Sequence, residues 1–183
     1  MRIFIPVFTL LLFVFSSSFS VSQAEDGLKV GDQIPAVSAL KIADQNGDVQ
    51  DWFTQGPMVL VFVRSVDWCP YCQVQLLDLR DVGEAIEENG YRVVTVSYDS
   101  SEKLKQFSEK YRFPYKMLSD PSSEIIDAFG IRDESYKGRE GIYGIPKPHV
   151  YVVDAEGVIE HVLSEETYKK RPAADDVLKA TSW

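Results

Sequence analysis

Cysteine and histidine are scarce in this chain of 183 residues, with two of each. A structural zinc site takes about four such ligands. Cys69, Cys72, His149 and His161 make a thin set for one, and no metal is expected. Positive charge is also short: 19 Lys and Arg stand against 28 Asp and Glu, for a net charge of −9. An acidic chain is a poor partner for nucleic acid or anionic lipid. Long apolar runs are missing except at the start. Met1-Arg2 is basic, Ile3 to Phe15 is apolar apart from Pro6 and Thr9, Ser16 to Ser22 is mostly small and polar, and Ser22-Gln23-Ala24 ends in a small-x-small pattern. The apolar part falls short of the roughly 20 residues of a membrane-spanning helix. Residues 1–24 therefore read as a secretory signal peptide, with an uncleaved membrane tether as the alternative. Residues 25–183 read as one domain, exported to the periplasm or secreted.

What is present centres on Arg64-Ser65-Val66-Asp67-Trp68-Cys69-Pro70-Tyr71-Cys72. The continuous apolar run Met58 to Val63 precedes it and the amphipathic stretch Val74 to Glu88 follows. That order predicts a buried strand, a loop, and a helix beginning at the cysteines. A thiol at a helix start lies beside unpaired N–H groups and the positive end of the helix dipole, which favour the thiolate nucleophile. Cys72, one turn on, is in reach for a disulfide. A ring this short constrains little of the unfolded chain, so it is a poor staple. The reading is a reachable redox centre, with Cys69 attacking and Cys72 resolving.

Asn46-Gly47 predicts a hairpin between Val37–Ile42 and Val49–Phe53. Tyr91–Tyr98 reads as a strand, and Asp99 with Glu102 as a capping box for the helix carrying Leu104 and Phe107. Tyr115–Leu118 is a short strand, and Asp120-Pro121 an N-cap pair for the next helix. Residues 132–145 form a long polar loop. His149–Val153 and Val158–Leu163 make a hairpin, and Pro172–Ala180 a last helix. The order is that of an α/β fold with a mixed central sheet, helices on both faces and an N-terminal hairpin.

On these residues the chain resembles a thioredoxin-fold redoxin, the peroxiredoxin-like AhpC/TSA group, over about residues 28–182. Trp68-Cys69-x-x-Cys72 after an apolar strand is similar to thioredoxins. Val30-Gly31-Asp32-x-x-Pro35, Leu118-Ser119-Asp120-Pro121 and Ala128-Phe129-Gly130-Ile131 are similar to peroxiredoxins. Gly144-Ile145-Pro146-x-Pro148 before Val150–Asp154 matches the segment that carries the thioredoxin cis-proline, which places that role on Pro148, with Pro146 as runner-up. The resemblance implies that Trp68, Pro70, Tyr71 and Pro148 support the Cys69–Cys72 redox disulfide and shape partner binding. Two departures stand out. Peroxiredoxins carry Thr or Ser three residues before the attacking cysteine, where this chain has Val66, and an arginine near Pro148's position. Arg64 could stand in as the positive neighbour of Cys69, or be a strand-end charge in solvent. Asp67 reads as solvated, and Gln75 stands where reductases of cytochrome maturation often have an acid.

The first functional reading is an exported thiol–disulfide oxidoreductase. The alternatives are a thiol-dependent peroxidase and a metal-binding or assembly module. No cofactor is expected. The implied partners are a disulfide or peroxide substrate and an electron-donating dithiol protein.

Overall fold

The computed structural model describes residues 27–35, 42–50 and 52–182. The signal-peptide segment and residues 37–41 of the first expected strand lie outside them. The elements in chain order are β1 (Ile42–Asp44), β2 (Val49–Gln50), β3 (Met58–Val63), α1 (Pro70–Glu88), β4 (Arg92–Ser97), α2 (Ser101–Tyr111), β5 (Lys116–Ser119), α3 (Glu124–Ala128), a 3-10 turn at Glu134–Tyr136, β6 (His149–Val153), β7 (Ile159–Ser164) and α4 (Ala174–Lys179).

Among the described residues, seven strands form one mixed sheet in the order β2-β1-β5-β4-β3-β6-β7. β3 is central because every residue in it is apolar and buried. Its side chains alternate, so Val59, Val61 and Val63 join one core while Met58, Leu60 and Phe62 join the other. The first core takes Leu76, Leu79 and Ile86 of α1, Leu104 and Phe107 of α2, and Val177 of α4. The second takes Ile125 and Ile126 of α3 with Trp52 and Phe53. β3 runs parallel to β4, and β4 to β5. β6 and β7 close one side antiparallel. The Asn46-Gly47 hairpin pairs β1 with β2, and the fully buried Asp44 ties it to β5 through Lys116 at 2.6 Å. The α/β architecture with helices on both faces and a leading hairpin is thus as expected.

Two capping expectations are corrected. Ser100, not Asp99, is the cap residue of α2, because Asp99 faces the loop before the cysteines. α3 begins at Glu124 rather than beside Pro121. Asp120 still caps it, from further upstream, accepting the N–H groups of Ile125 (3.1 Å) and Ile126 (3.0 Å).

Burial raises Asp120 from 3.8 to about 6, against the pull of those N–H groups. The folded chain then holds a proton that the unfolded chain has released between those values. Stability from this group is therefore greatest at the acid end and falls as pH rises from about 4 to about 6. Asp120→Asn, which keeps an acceptor without the charge, is expected to flatten that slope. A melting series from pH 4 to pH 7 on both proteins measures it.

Candidate redox site

The site lies beyond the carboxyl ends of β3 and β4, where open α/β sheets place their chemistry. Val63 and Ser97 are paired across these parallel strands, so Ser65–Val66 and Asp99 leave the sheet side by side. The buried Asp99 carboxylate accepts the Val66 N–H at 2.7 Å, the Ser65 hydroxyl at 2.9 Å and the Ser97 hydroxyl at 2.7 Å. Ser65 Oγ in turn accepts the N–H groups of Asp67 (3.0 Å) and Trp68 (3.3 Å). From α1, Gln73 donates to the carbonyls of Val66 (2.7 Å) and Asp67 (3.1 Å). The loop that presents Cys69 is held from both sides.

Cys69 is the N-cap of α1 and Pro70 its first helical residue, exposed and with no N–H to lose. The Cys69 sulfur accepts the N–H of Cys72 at 3.3 Å. The two Cα atoms are 5.3 Å apart and the sulfurs are joined as a disulfide. The pair forms as expected, but it is not open: Cys69 is 2 % exposed and Cys72 fully buried in the first core. The expectation of a reachable sulfur is corrected for this oxidised state.

Part of the cover is Arg171, from the segment between β7 and α4. Its Nη2 lies 3.3 Å from the Cys72 sulfur and 3.7 Å from that of Cys69. Its Nη1 donates to the carbonyls of Tyr168 and Lys170. Burial, reinforced by the charge of Arg64, lowers Arg171 to about 10, so it remains a cation at neutral pH. Arg64 is neither in solvent nor bonded to a sulfur. It is 2 % exposed, with its guanidinium 4.6 Å from the rings of Tyr136 and Tyr168 and 5.6 Å from Trp68.

Trp68 and Tyr71 are about two-fifths exposed. Trp68 Nε1 donates to the Tyr98 hydroxyl at 2.8 Å, and Tyr71 meets Tyr168 edge to face at 6.2 Å. The disulfide thus has an aromatic rim that reaches solvent. Asp67 is exposed and paired with Lys103 at 2.8 Å.

Pro148 does not carry a cis bond: none of the described peptides is cis. Lys147 N–H bonds the Ile131 carbonyl at 2.7 Å and Asp133 N–H that of Ile145 at 2.9 Å. Pro146 also bridges Arg132. These tethers lead the chain extended into β6, so Pro146 does not take the role either. Pro148 is buried and lines a cleft of about 860 Å³ with Tyr136, His149 and Tyr168. His149 stacks on Tyr151, and His161 is exposed on β7. Among the described residues no group of three or more His, Cys, Asp or Glu could hold a metal ion. Gln75 is buried, its Oε1 without a partner.

Sequence reasoning missed Asp99 as loop anchor and Arg171 altogether. Asp99 could have been found, since parallel β3 and β4 carry their exit loops to the same edge. Arg171 is 102 residues from Cys69, with no local pattern to mark it.

Residues 30–162 match the AhpC/TSA family. Peroxiredoxin Bcp of Escherichia coli K12 is 35% identical over 142 residues, 75% of this chain and 86% of that protein. The chloroplastic peroxiredoxin Q of Sedum lineare is 30% identical over 126 residues, 68% of this chain and 63% of that one. Among solved structures, peroxidoxin BcpB of Mycobacterium tuberculosis superposes with a TM-score of 0.70 at 25% identity, covering 84% of this chain and 96% of that one. Peroxiredoxin Q of Xanthomonas campestris gives 0.69 at 22% identity, over 86% and 97% of the two chains, a likeness of fold.

Proposed function

Because this chain belongs to the AhpC/TSA family, a family of oxidoreductases with the thioredoxin fold, we propose that it is a thiol-dependent peroxidase working through Cys69 and Cys72. One observation carries the reading beyond family membership: Cys69 caps a helix and shares a disulfide with Cys72 under the Arg171 guanidinium. Helix dipole, N–H and guanidinium all favour the thiolate. In the cycle, the Cys69 thiolate attacks one oxygen of a hydroperoxide and the O–O bond breaks. Cys69 becomes a sulfenic acid, and the departing alkoxide takes a proton to leave as alcohol or water. Cys72 then attacks the Cys69 sulfur, the S–O bond breaks, and hydroxide leaves as water. A dithiol protein supplies the two electrons that reopen the disulfide. Export, read from residues 1–24, belongs to the same proposal.

A second reading, thiol–disulfide exchange with a protein substrate, is favoured by Val66. It puts no hydroxyl where peroxiredoxins offer one to the peroxide, and the Ser65 hydroxyl is already committed to Asp99. The exposed rings of Trp68, Tyr71 and Tyr168 would suit such a partner. The relatives favour the peroxidase. Stopped-flow mixing of the reduced protein with hydrogen peroxide, an organic hydroperoxide and a protein disulfide separates the two. A peroxide reaction at least tenfold faster than the disulfide reaction is expected; the reverse order overturns the proposal. Val66→Thr is expected to raise the peroxide rate about tenfold, the effect of one hydrogen bond to a charged group.

A further inference from the structure

The two sulfurs do not have the same surroundings. Cys69 sits at the helix start, and its sulfur receives a backbone N–H at 3.3 Å. Cys72 lies one turn inside α1, fully buried in the apolar core shared by β3, α1, α2, β6 and α4. Apolar burial raises a thiol's pKa and keeps it protonated, and a protonated thiol is a poor nucleophile. The groups placed against the Cys72 sulfur are Cys69 and Arg171, whose Nη2 is nearer to it than to Cys69. Tyr91 and Tyr115 lie in the same apolar core, with Tyr111 packed against it.

The surroundings of Arg171 are unusual too. Its Nε and that of Arg64 are buried without a partner, and neither guanidinium is in an ion pair among the described residues. The charge of Arg64 weakens Arg171's hold on its proton. Two buried cations that share no ion pair thus stand near the disulfide, and the buried Asp99 carboxylate is committed to Ser65, Val66 and Ser97. Opening the disulfide supplies a negative charge as thiolate.

We propose that Arg171 is a catalytic residue for the resolving step, holding the buried Cys72 as a thiolate while Arg64, stacked among Tyr136, Tyr168 and Trp68, fixes the field behind it. This deepens the peroxidase reading and rests on it for the step served. The Cys72 thiolate supplies the electron pair of the new S–S bond, the S–O bond of the Cys69 sulfenic acid breaks, and hydroxide leaves. Arg171 lies beyond the stretch that matches the family, residues 30–162, so the match assigns it nothing.

The direct test is ultraviolet thiolate titration of reduced Cys69→Ser, which leaves Cys72 as the sole thiol. Cys72 is expected to ionise below the ordinary thiol value of about 8.5. Adding Arg171→Met should carry it above that value, and Arg171→Lys should recover part of the shift. In the protein with both cysteines, Arg171→Met should slow resolution at least tenfold, seen as Cys69 sulfenic acid trapped by dimedone, and move the pH profile of that step to alkaline values. Near- and far-ultraviolet circular dichroism checks folding. If Cys72 ionises at the same pH with and without Arg171, the proposal is overturned. If the ionisation shifts but neither cysteine reacts with peroxide, the role of Arg171 stands and the peroxidase reading falls.

Discussion

Asp99→Ala is expected to cost the fold about 3–5 kcal/mol and to lower the rate of the redox reaction at least about a hundredfold. The buried carboxylate accepts three hydrogen bonds from Ser65, Val66 and Ser97. Truncation strands a buried backbone N–H and two hydroxyls, each costing about 1–3 kcal/mol when unsatisfied, less where a hydroxyl rotates to a new acceptor. Set against a total stability of about 5–15 kcal/mol, the loss is large. The activity follows because Val66 is three residues from Cys69, and a displacement of about 1 Å at a reacting atom can cost a hundredfold. Asp99→Asn keeps one acceptor oxygen and is expected to fall between the two. Urea unfolding and single-turnover kinetics on the same samples measure both effects. Wild-type values in Asp99→Ala would show that the loop does not depend on this anchor.

Cys69→Ser is expected to abolish turnover, by about a thousandfold or more, since the remaining thiol, Cys72, is fully buried and has no second cysteine with which to close a disulfide. Cys72→Ser should behave differently. Its first encounter with peroxide should proceed, consuming about one equivalent, and then stop with Cys69 oxidised. In the presence of the physiological dithiol donor it should instead accumulate a mixed disulfide through Cys69, which isolates that partner. If the two variants exchanged these behaviours, the roles of attacker and resolver would be reversed. Peroxide consumption in a coupled assay, with intact mass of the products, reads both outcomes.

The frame of this fold was legible because it rests on local patterns. Met58–Val63 could only be a strand buried on both faces, Asn46-Gly47 turned the hairpin, and Asn89-Gly90 closed the helix opened by Cys69. The disulfide followed from spacing along one helical turn. The failures came where tertiary contacts outweigh local preference. Asp99 looked like a helix cap because caps are read from the next three residues, while its partners lie 33 and 34 residues back on the neighbouring strand's loop. Pro148 matched a position that is cis in relatives of the thioredoxin kind. Proline isomer is decided by what holds the flanking chain, here the tethers of residues 131–133. Arg64 could be placed at a strand end, but rings from two distant segments, Tyr136 and Tyr168, decide that it is buried. Arg171 belongs to an irregular segment without periodicity, so only the folded chain brings it to the sulfurs.

The most direct measurement is the chemical state of residue 69 after one turnover. Reduced Cys72→Ser is mixed with one equivalent of hydrogen peroxide, trapped with dimedone and mapped by peptide mass. Peroxidase action predicts a dimedone adduct on Cys69, formed within the time in which the peroxide disappears. An unmodified Cys69, with the peroxide still present and a mixed disulfide formed only when a protein disulfide is offered, would contradict it.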